Sequence, residues 1–330
     1  MTEGQARGGL YMEKADTQSP SEAPAKGKAS GSRLYFKQTD LEMIRWLTEF
    51  HYLQPHHFRI LAGDRNIRSI RRRLLQLYRL GYFKRQVLPI ERERPLNYPP
   101  DQFVYYLAPR GIALAQEYGF ADDDWNFNDE KSPILLPHDL AITDFHLCLA
   151  MAVRSTSNMS IVFWEQRRSQ LLDFVEERGE RLSINPDGFF GIKNSDYPEN
   201  ENTSCYFLEI VRARESDYRR RPSTADRTGE SYLLRKMRAY NAYFTSGKFQ
   251  AAWGMANFRV ITVLPSEMRV KNFCGKLIKE GLSSQRFLIS YFGAYSLEAP
   301  GKILESIFWT PKGYDPSYDA LSAPTCCLIN

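Results

Sequence analysis

Apolar residues recur at helical spacing three times near the N-terminus. Leu41, Ile44 and Leu47 predict a first helix running to about Phe50, with Thr39-Asp40-Leu41-Glu42 as its capping box: hydroxyl at N-cap, carboxylate at N3. Pro55 opens a short second helix ending at Ala62, and Gly63-Asp64-Arg65-Asn66 makes a tight turn. Ile67, Ile70, Leu74 and Leu77 give a third helix one apolar face, ended by Gly81 in the C′ position. Two strands, Phe83 to Pro89 and Gln102 to Leu107, flank the polar tip Glu91–Asp101, and Pro109 opens a closing helix. Three short helices and a hairpin predict a winged helix-turn-helix.

A second pattern begins near His138. His138–Arg154 reads as an amphipathic helix and Ile161–Glu165 as a short strand. Leu182–Ile192 reads as another strand, containing Pro186-Asp187, and Cys205–Val211 as a strongly apolar one. Glu230–Phe244 is helical, with Leu233, Met237, Tyr240 and Phe244 on one face, and Phe258–Leu264 is a final core strand. The 330 residues suffice for two cores. The division reads as a disordered arm over 1–32, rich in Gly, Ser, Ala, Pro and Lys; a DNA-binding domain over 33–118; and a linker over 119–137. A second domain covers 138–315 and a tail 316–330.

Charge sharpens the first domain. Residues 37–118 hold 14 Lys and Arg against 8 Asp and Glu, a net of +6, while the whole chain carries +5, so the remainder sums to −1. A basic segment on a near-neutral body is an electrostatic footprint for phosphate. Arg68, Arg71, Arg72, Gln76 and Arg79 fall largely off the apolar face of the third helix. With Arg65 and Arg73, and Arg92 and Arg94 in the wing, they are the candidate DNA contacts. Most would meet phosphate, which positions the protein without reading bases. The alternative is an arginine-rich solvated face on a winged helix that binds protein.

Several classes are excluded or disfavoured. No run approaches ~20 apolar residues and no apolar leader is visible, so a soluble, cytoplasmic protein without a membrane partner is expected. The five cysteines, Cys148, Cys205, Cys274, Cys326 and Cys327, have no C-x-x-C spacing, which speaks against a zinc site or disulfide framework. Cys148 and Cys205 lie in apolar runs and read as core. Cys327-Leu328-Ile329-Asn330 formally fits a prenylation box, with an unusual last residue and no second anchor signal. No Walker loop and no G-x-G-x-x-G occur, against nucleotide-driven or dinucleotide chemistry.

Two carboxylates carry the candidate chemistry. Glu209 interrupts the most hydrophobic strand of the chain, where a charge is costly unless paired or bound to a cation. Asp187 follows Pro186 on a neighbouring strand. Together they could share a hard divalent ion, Mg²⁺ or Mn²⁺, that activates water for phosphodiester chemistry. Ordinary readings stand beside these. Pro-Asp-Gly is a common turn, Glu209 could pair with an arginine, and His138 could cap its helix. Asp144 and His146 read as an exposed face, and Arg219-Arg220-Arg221 in the loop Asp217–Gly229 either touch DNA or are solvated.

The element order, Pro186-Asp187 and Glu209 in its strand resemble the PD-(D/E)xK restriction-endonuclease-like core. With the N-terminal winged helix, the chain is similar to the replication-relaxation family and to the restriction-endonuclease-like relaxases of the MOB-C class. His138-x-Leu140, Leu208-Glu209 and Ile307-Phe308-Trp309-Thr310-Pro311 add to the likeness, which spans about 37–312. The resemblance implies an α+β chain: a winged helix followed by a restriction-endonuclease-like α/β domain with a mixed central sheet. It implies DNA relaxation or nicking for a plasmid or integrative element, in replication or conjugation. Asp187 and Glu209 would hold the metal, and His138 would be an auxiliary site residue. The motif's lysine position is Val211, which can neither bind metal nor polarise water; Lys236 on the next helix is the candidate replacement. Arg212 and Arg214 could hold phosphate but are poor bases. The expected partners are double-stranded DNA, single-stranded DNA at a nick, and other transfer or replication proteins. A metal-dependent nickase and a catalytically inactive regulator or adaptor both remain open.

Overall fold

The computed structural model describes residues 36–313 except 64, 89–102, 124, 126–131, 133–134, 167–170, 200, 213–231 and 306. The expected arm, the expected wing tip with Arg92 and Arg94, the expected loop with Arg219-Arg220-Arg221, and Cys326 and Cys327 therefore lie outside the described residues. The chain divides into two compact units, one ending at Leu136 and the other running on from Pro137.

The N-terminal unit holds α1 (Gln38–Phe50), α2 (Pro55–Leu61), α3 (Ile67–Arg79), the hairpin β1 (Phe83–Val87) with β2 (Phe103–Leu107), and α4 (Pro109–Glu117). Ile44, Leu47 and Phe50 from α1 and Leu74 and Leu77 from α3 are buried, as the 3.6-residue period requires. Leu53 exchanges two backbone hydrogen bonds with Tyr105, at 3.1 and 2.8 Å, an isolated antiparallel bridge beside β2. Gly81, at φ +76°, closes α3 in the left-handed conformation that glycine adopts without steric cost. Gly111 brings α4 so close that a Cβ there would lie 2.2 Å from the Tyr82 carbonyl oxygen.

The start of α1 differs from the sequence expectation. The N-cap is Lys37, not Thr39, and Asp40 occupies N3, where its Oδ2 accepts the Lys37 backbone N–H at 2.7 Å. The reason is a second demand on the same carboxylate: Asp40 is fully buried and pairs with the Arg73 guanidinium, Nε to Oδ1 at 2.6 Å and Nη2 to Oδ2.

The C-terminal unit is built on a five-stranded mixed sheet of order β3-β6-β7-β8-β9. Its strands are β3 (Met159–Glu165), β6 (Gly188–Asn194), β7 (Thr203–Ile210), β8 (Arg259–Leu264) and β9 (Phe287–Tyr291). The first three are antiparallel neighbours; β7, β8 and β9 run parallel. A separate hairpin pairs β4 (Asp173–Glu177) with β5 (Glu180–Ile184). The helices are α5 (Leu136–Arg154), α6 (Tyr232–Thr245), α7 (Lys248–Trp253) and α8 (Glu267–Lys279). Strand alternation sends Phe207 and Glu209 towards α6, while Phe190, on the opposite face, meets Phe145 of α5 at 6.1 Å between ring centroids. Phe207, Tyr240, Tyr243, Phe249 and Phe258 belong to the large core that binds α6 and α7 to the sheet. The chain is thus a mixed α+β protein with eight α-helices among the described residues. No described helix is long and apolar enough to cross a membrane.

Two strand expectations need correction. Leu182–Ile192 is not one strand: β5 ends at Ile184, belongs to the outlying hairpin, and Asn185-Pro186-Asp187 carries the chain into β6. Pro186 has no N–H to donate to a ladder, so the apolar run breaks there. Nor is Phe258–Leu264 the last strand, since β9 follows and is itself bridged to Trp309 by two 2.8 Å backbone bonds. Cys148, Cys205 and Cys274 are buried free thiols.

Replacing Asp40 with Ala strands the Arg73 charge, whose side chain is only 17% exposed. Asp40→Ala in the full chain should cost ~2–4 kcal/mol in urea unfolding, whereas Arg72→Ala on the exposed side of α3 should cost under ~0.5 kcal/mol. Equal effects would show that the Asp40–Arg73 pair is not a structural contact.

Candidate active site

The β6–β7 register builds the site. Gly188 faces Leu208, so continuing the antiparallel ladder one step places Asp187 beside Glu209. The Asp187 backbone N–H donates to the Leu208 carbonyl at 2.9 Å, and Asp187 Oδ2 accepts the Ile210 backbone N–H at 2.8 Å. Asp187 therefore spans Glu209 from both sides along β7. Its other oxygen, Oδ1, lies 2.9 Å from His138 Nε2 on α5. Both carboxylates are buried.

Glu209 is held from α6. Lys236 Nζ donates to Oε2 at 2.5 Å and the Tyr240 hydroxyl to Oε1 at 2.5 Å. Lys236 and Tyr240 stand four residues apart, so one helix face delivers both donors. Val211 takes no part: its N–H continues the ladder to Val263 at 2.9 Å and its side chain packs on the core. Asp187, Glu209, His138 and Lys236, singled out from the sequence, thus lie together. Sequence reasoning missed Tyr240, read only as a core residue, although its i+4 spacing from Lys236 was visible. It also missed the Ile210 amide, which has no side-chain signal.

The electrostatics set the two carboxylates apart. Burial works against the charge of Asp187, but His138, by charge and hydrogen bond, with Lys236 and the Ile210 amide, outweighs it and holds the group well below the usual carboxylate range. Glu209 goes the other way. Burial raises it and the neighbouring Asp187 raises it further; Lys236 and Tyr240 only partly offset this, leaving it at about 7. Burial would strip the proton from Lys236, yet Glu209 and Asp187 hold its ammonium above the usual lysine range.

Other expectations resolve individually. Glu209 pairs with a lysine, not an arginine. His138 sits inside the first turn of α5 and reaches Asp187. His146 is not on an exposed face: it is buried and stacks on Trp164 at 3.6 Å and 3°, because α5 packs on the sheet there. Asp144 on the same helix is half-buried. On α3, Arg68, Arg71, Arg72, Gln76 and Arg79 are exposed, as is Arg65 just before it. Arg73 is set apart, its guanidinium turned to Asp40 and Gln76.

The site is thus a buried acid pair with a lysine on a sheet of mixed strands. The replication-relaxation family model matches residues 41–258, more than half of the chain, which belongs to that family. Membership suggests a role in plasmid or mobile-element replication or relaxation and implies interaction with DNA. No curated protein and no solved structure gives a significant match.

Because Glu209 stands at about 7 folded against an ordinary 4.5, the native state holds its proton more tightly than the unfolded chain between those values. Its contribution therefore becomes unfavourable as pH rises through that window and is fully so above ~7. Glu209→Gln lacks this term, whereas Asp187, His138, Lys236 and Tyr240 are common to both chains. In urea unfolding with chelator, the stability of Glu209→Gln relative to wild type should rise from pH 5 to 8 by on the order of 3 kcal/mol. A pH-independent difference would place Glu209 in the ordinary carboxylate range.

Proposed function

We propose that the protein binds duplex DNA through a winged helix-turn-helix in its N-terminal unit and nicks one strand at a metal-dependent, nuclease-like site in its C-terminal unit. The observation that carries this reading is Lys236 on Glu209 with Asp187 alongside. It supplies from α6 the lysine that the PD-(D/E)xK pattern lacks at Val211. The donor set fits a hard divalent ion: two buried carboxylates side by side, with Glu209 raised to about 7 by burial and by its neighbour Asp187. Asp187 and Glu209 would hold Mg²⁺ or Mn²⁺, which supplies Lewis acidity and charge neutralisation for a phosphodiester. Lys236 keeps an ammonium at the Glu209 carboxylate, where it can also meet a phosphate oxygen. His138 fixes the Asp187 carboxylate, and Tyr240 fixes that of Glu209.

In the N-terminal unit, α3 would enter the major groove and the β1–β2 hairpin would follow the backbone. Exposed Arg65, Arg68, Arg71, Arg72, Gln76 and Arg79 support this.

One observation favours the alternative of an inactive DNA-binding regulator or adaptor. Each of the four carboxylate oxygens already has a partner: His138, the Ile210 amide, Tyr240 and Lys236. Such a cluster is satisfied without an ion and could serve as a structural lock.

Purified full-length protein should nick supercoiled plasmid carrying its origin with Mg²⁺ or Mn²⁺ and not with chelator. Asp187→Asn and Glu209→Gln should each lower nicking at least ~100-fold, and both should still bind duplex. Arg71→Ala with Arg72→Ala should instead weaken duplex binding, by ~1–3 kcal/mol if a base contact is lost and less for phosphate. Intact plasmid in every condition, with wild-type DNA binding, would establish the regulator reading.

A further inference from the structure

A cleft of about 260 Å³ opens beside the carboxylate site, between α6 and the β4–β5 hairpin. Phe174, Arg181 and Ser183 line it from the hairpin, and Tyr232, Arg235 and Lys236 from α6. The hairpin stands outside the central sheet and is fastened to α6 by Arg238, which reaches Glu177 at 2.8 Å. Lys248 adds a bond to the Phe174 carbonyl at 2.9 Å. The fastening leaves two aromatic rings in solvent, Phe174 at 36% and Tyr232 at 72% exposure. Cations accompany both. The Arg181 guanidinium lies 3.9 Å from the Phe174 ring centre and Lys236 Nζ 5.4 Å from that of Tyr232. Arg235 pairs with Glu180 at 2.7 Å, an exposed pair that screening keeps weak.

We infer that this cleft takes one unpaired nucleotide of a DNA strand, its base against Phe174 or Tyr232 and its phosphate at Arg181 and Arg235. Exposed rings interleaved with cations suit a ligand with both a π-face and a negative charge. The volume falls just below the ~300 Å³ at which drug-sized pockets begin, which suits one nucleotide. A duplex offers no free base faces to such rings. Lys236 forms the shared wall: the same ammonium faces Tyr232 and bonds Glu209. A nucleotide seated here therefore lies next to the carboxylates, and the strand opened at the site is held by its unstacked base. The inference rests on the DNA-processing reading of Asp187 and Glu209.

The test uses the full chain with chelator, so no nicking enters the readout. Binding of a fluorescent ten-nucleotide oligothymidylate and of a duplex is followed by anisotropy for wild type, Phe174→Ala, Tyr232→Ala and Arg181→Gln. All three substitutions are at cleft-lining positions of the hairpin or α6, and circular dichroism checks their folding. Each aromatic variant should lose roughly five- to hundred-fold in single-strand affinity, with duplex affinity unchanged. Thymidine monophosphate should compete for the oligonucleotide and inorganic phosphate should not. An iodouracil-containing strand should photocrosslink within Phe174–Arg181 or at Tyr232. Unchanged single-strand affinity in folded variants, equal competition by phosphate, or crosslinks confined to the N-terminal unit would overturn the inference. Failure of nicking with the cleft binding intact would strike the proposed function and leave the cleft assignment standing.

Discussion

Two carboxylates sharing one buried corner of a sheet impose the main constraint on the C-terminal unit. Neither can lose its solvation without compensation. Asp187 is compensated from α5 by His138 and from β7 by the Ile210 amide, and Glu209 from α6 by Lys236 and Tyr240. The pair thus ties helices from two parts of the chain to adjacent strands. It also pins the β6–β7 register. A slip of one residue would turn Glu209 away from α6 and bring an apolar neighbour to Lys236. Burial and the neighbouring Asp187 still outweigh Lys236 and Tyr240 at Glu209, which stands at about 7.

In the N-terminal unit the positive charge is divided between fold and surface. Arg73 closes on Asp40, Arg85 lies over the rings of Tyr78 and Phe103 at 4.4 and 4.2 Å, and Arg110 donates to the Leu80 carbonyl at 2.6 Å. These three belong to the segment whose net charge of +6 suggested a phosphate footprint. Arg68, Arg71, Arg72 and Arg79 lie on the exposed side of α3, opposite Ile70, Leu74 and Leu77.

Legibility in the sequence followed the physics of each feature. The helix α3 was readable because its apolar period and its glycine stop agree. Glu209 was readable because a charge inside Tyr206-Phe207-Leu208-Glu209-Ile210 is an anomaly, and Lys236 because Val211 leaves a vacancy that only a nearby cation fills. The β4–β5 hairpin was not. Its residues alternate weakly, and apolar residues on both sides of Pro186 made β5 and β6 look continuous. His146 was misplaced because its stack on Trp164 is a contact between α5 and β3, which no local period encodes. The cleft depends on such long-range packing too: Phe174 and Tyr232 come together only once the hairpin docks on α6.

In the proposed function, the Asp187–Glu209 corner takes up one divalent cation. Calorimetric titration of the full chain with Mn²⁺ at pH 7, in two buffers of different ionisation enthalpy, measures this directly. One ion per chain should bind with release of a proton from Glu209, and the binding should vanish in Asp187→Asn and in Glu209→Gln. Binding that persists unchanged in both variants, or wild-type protein that takes up no ion, would contradict it.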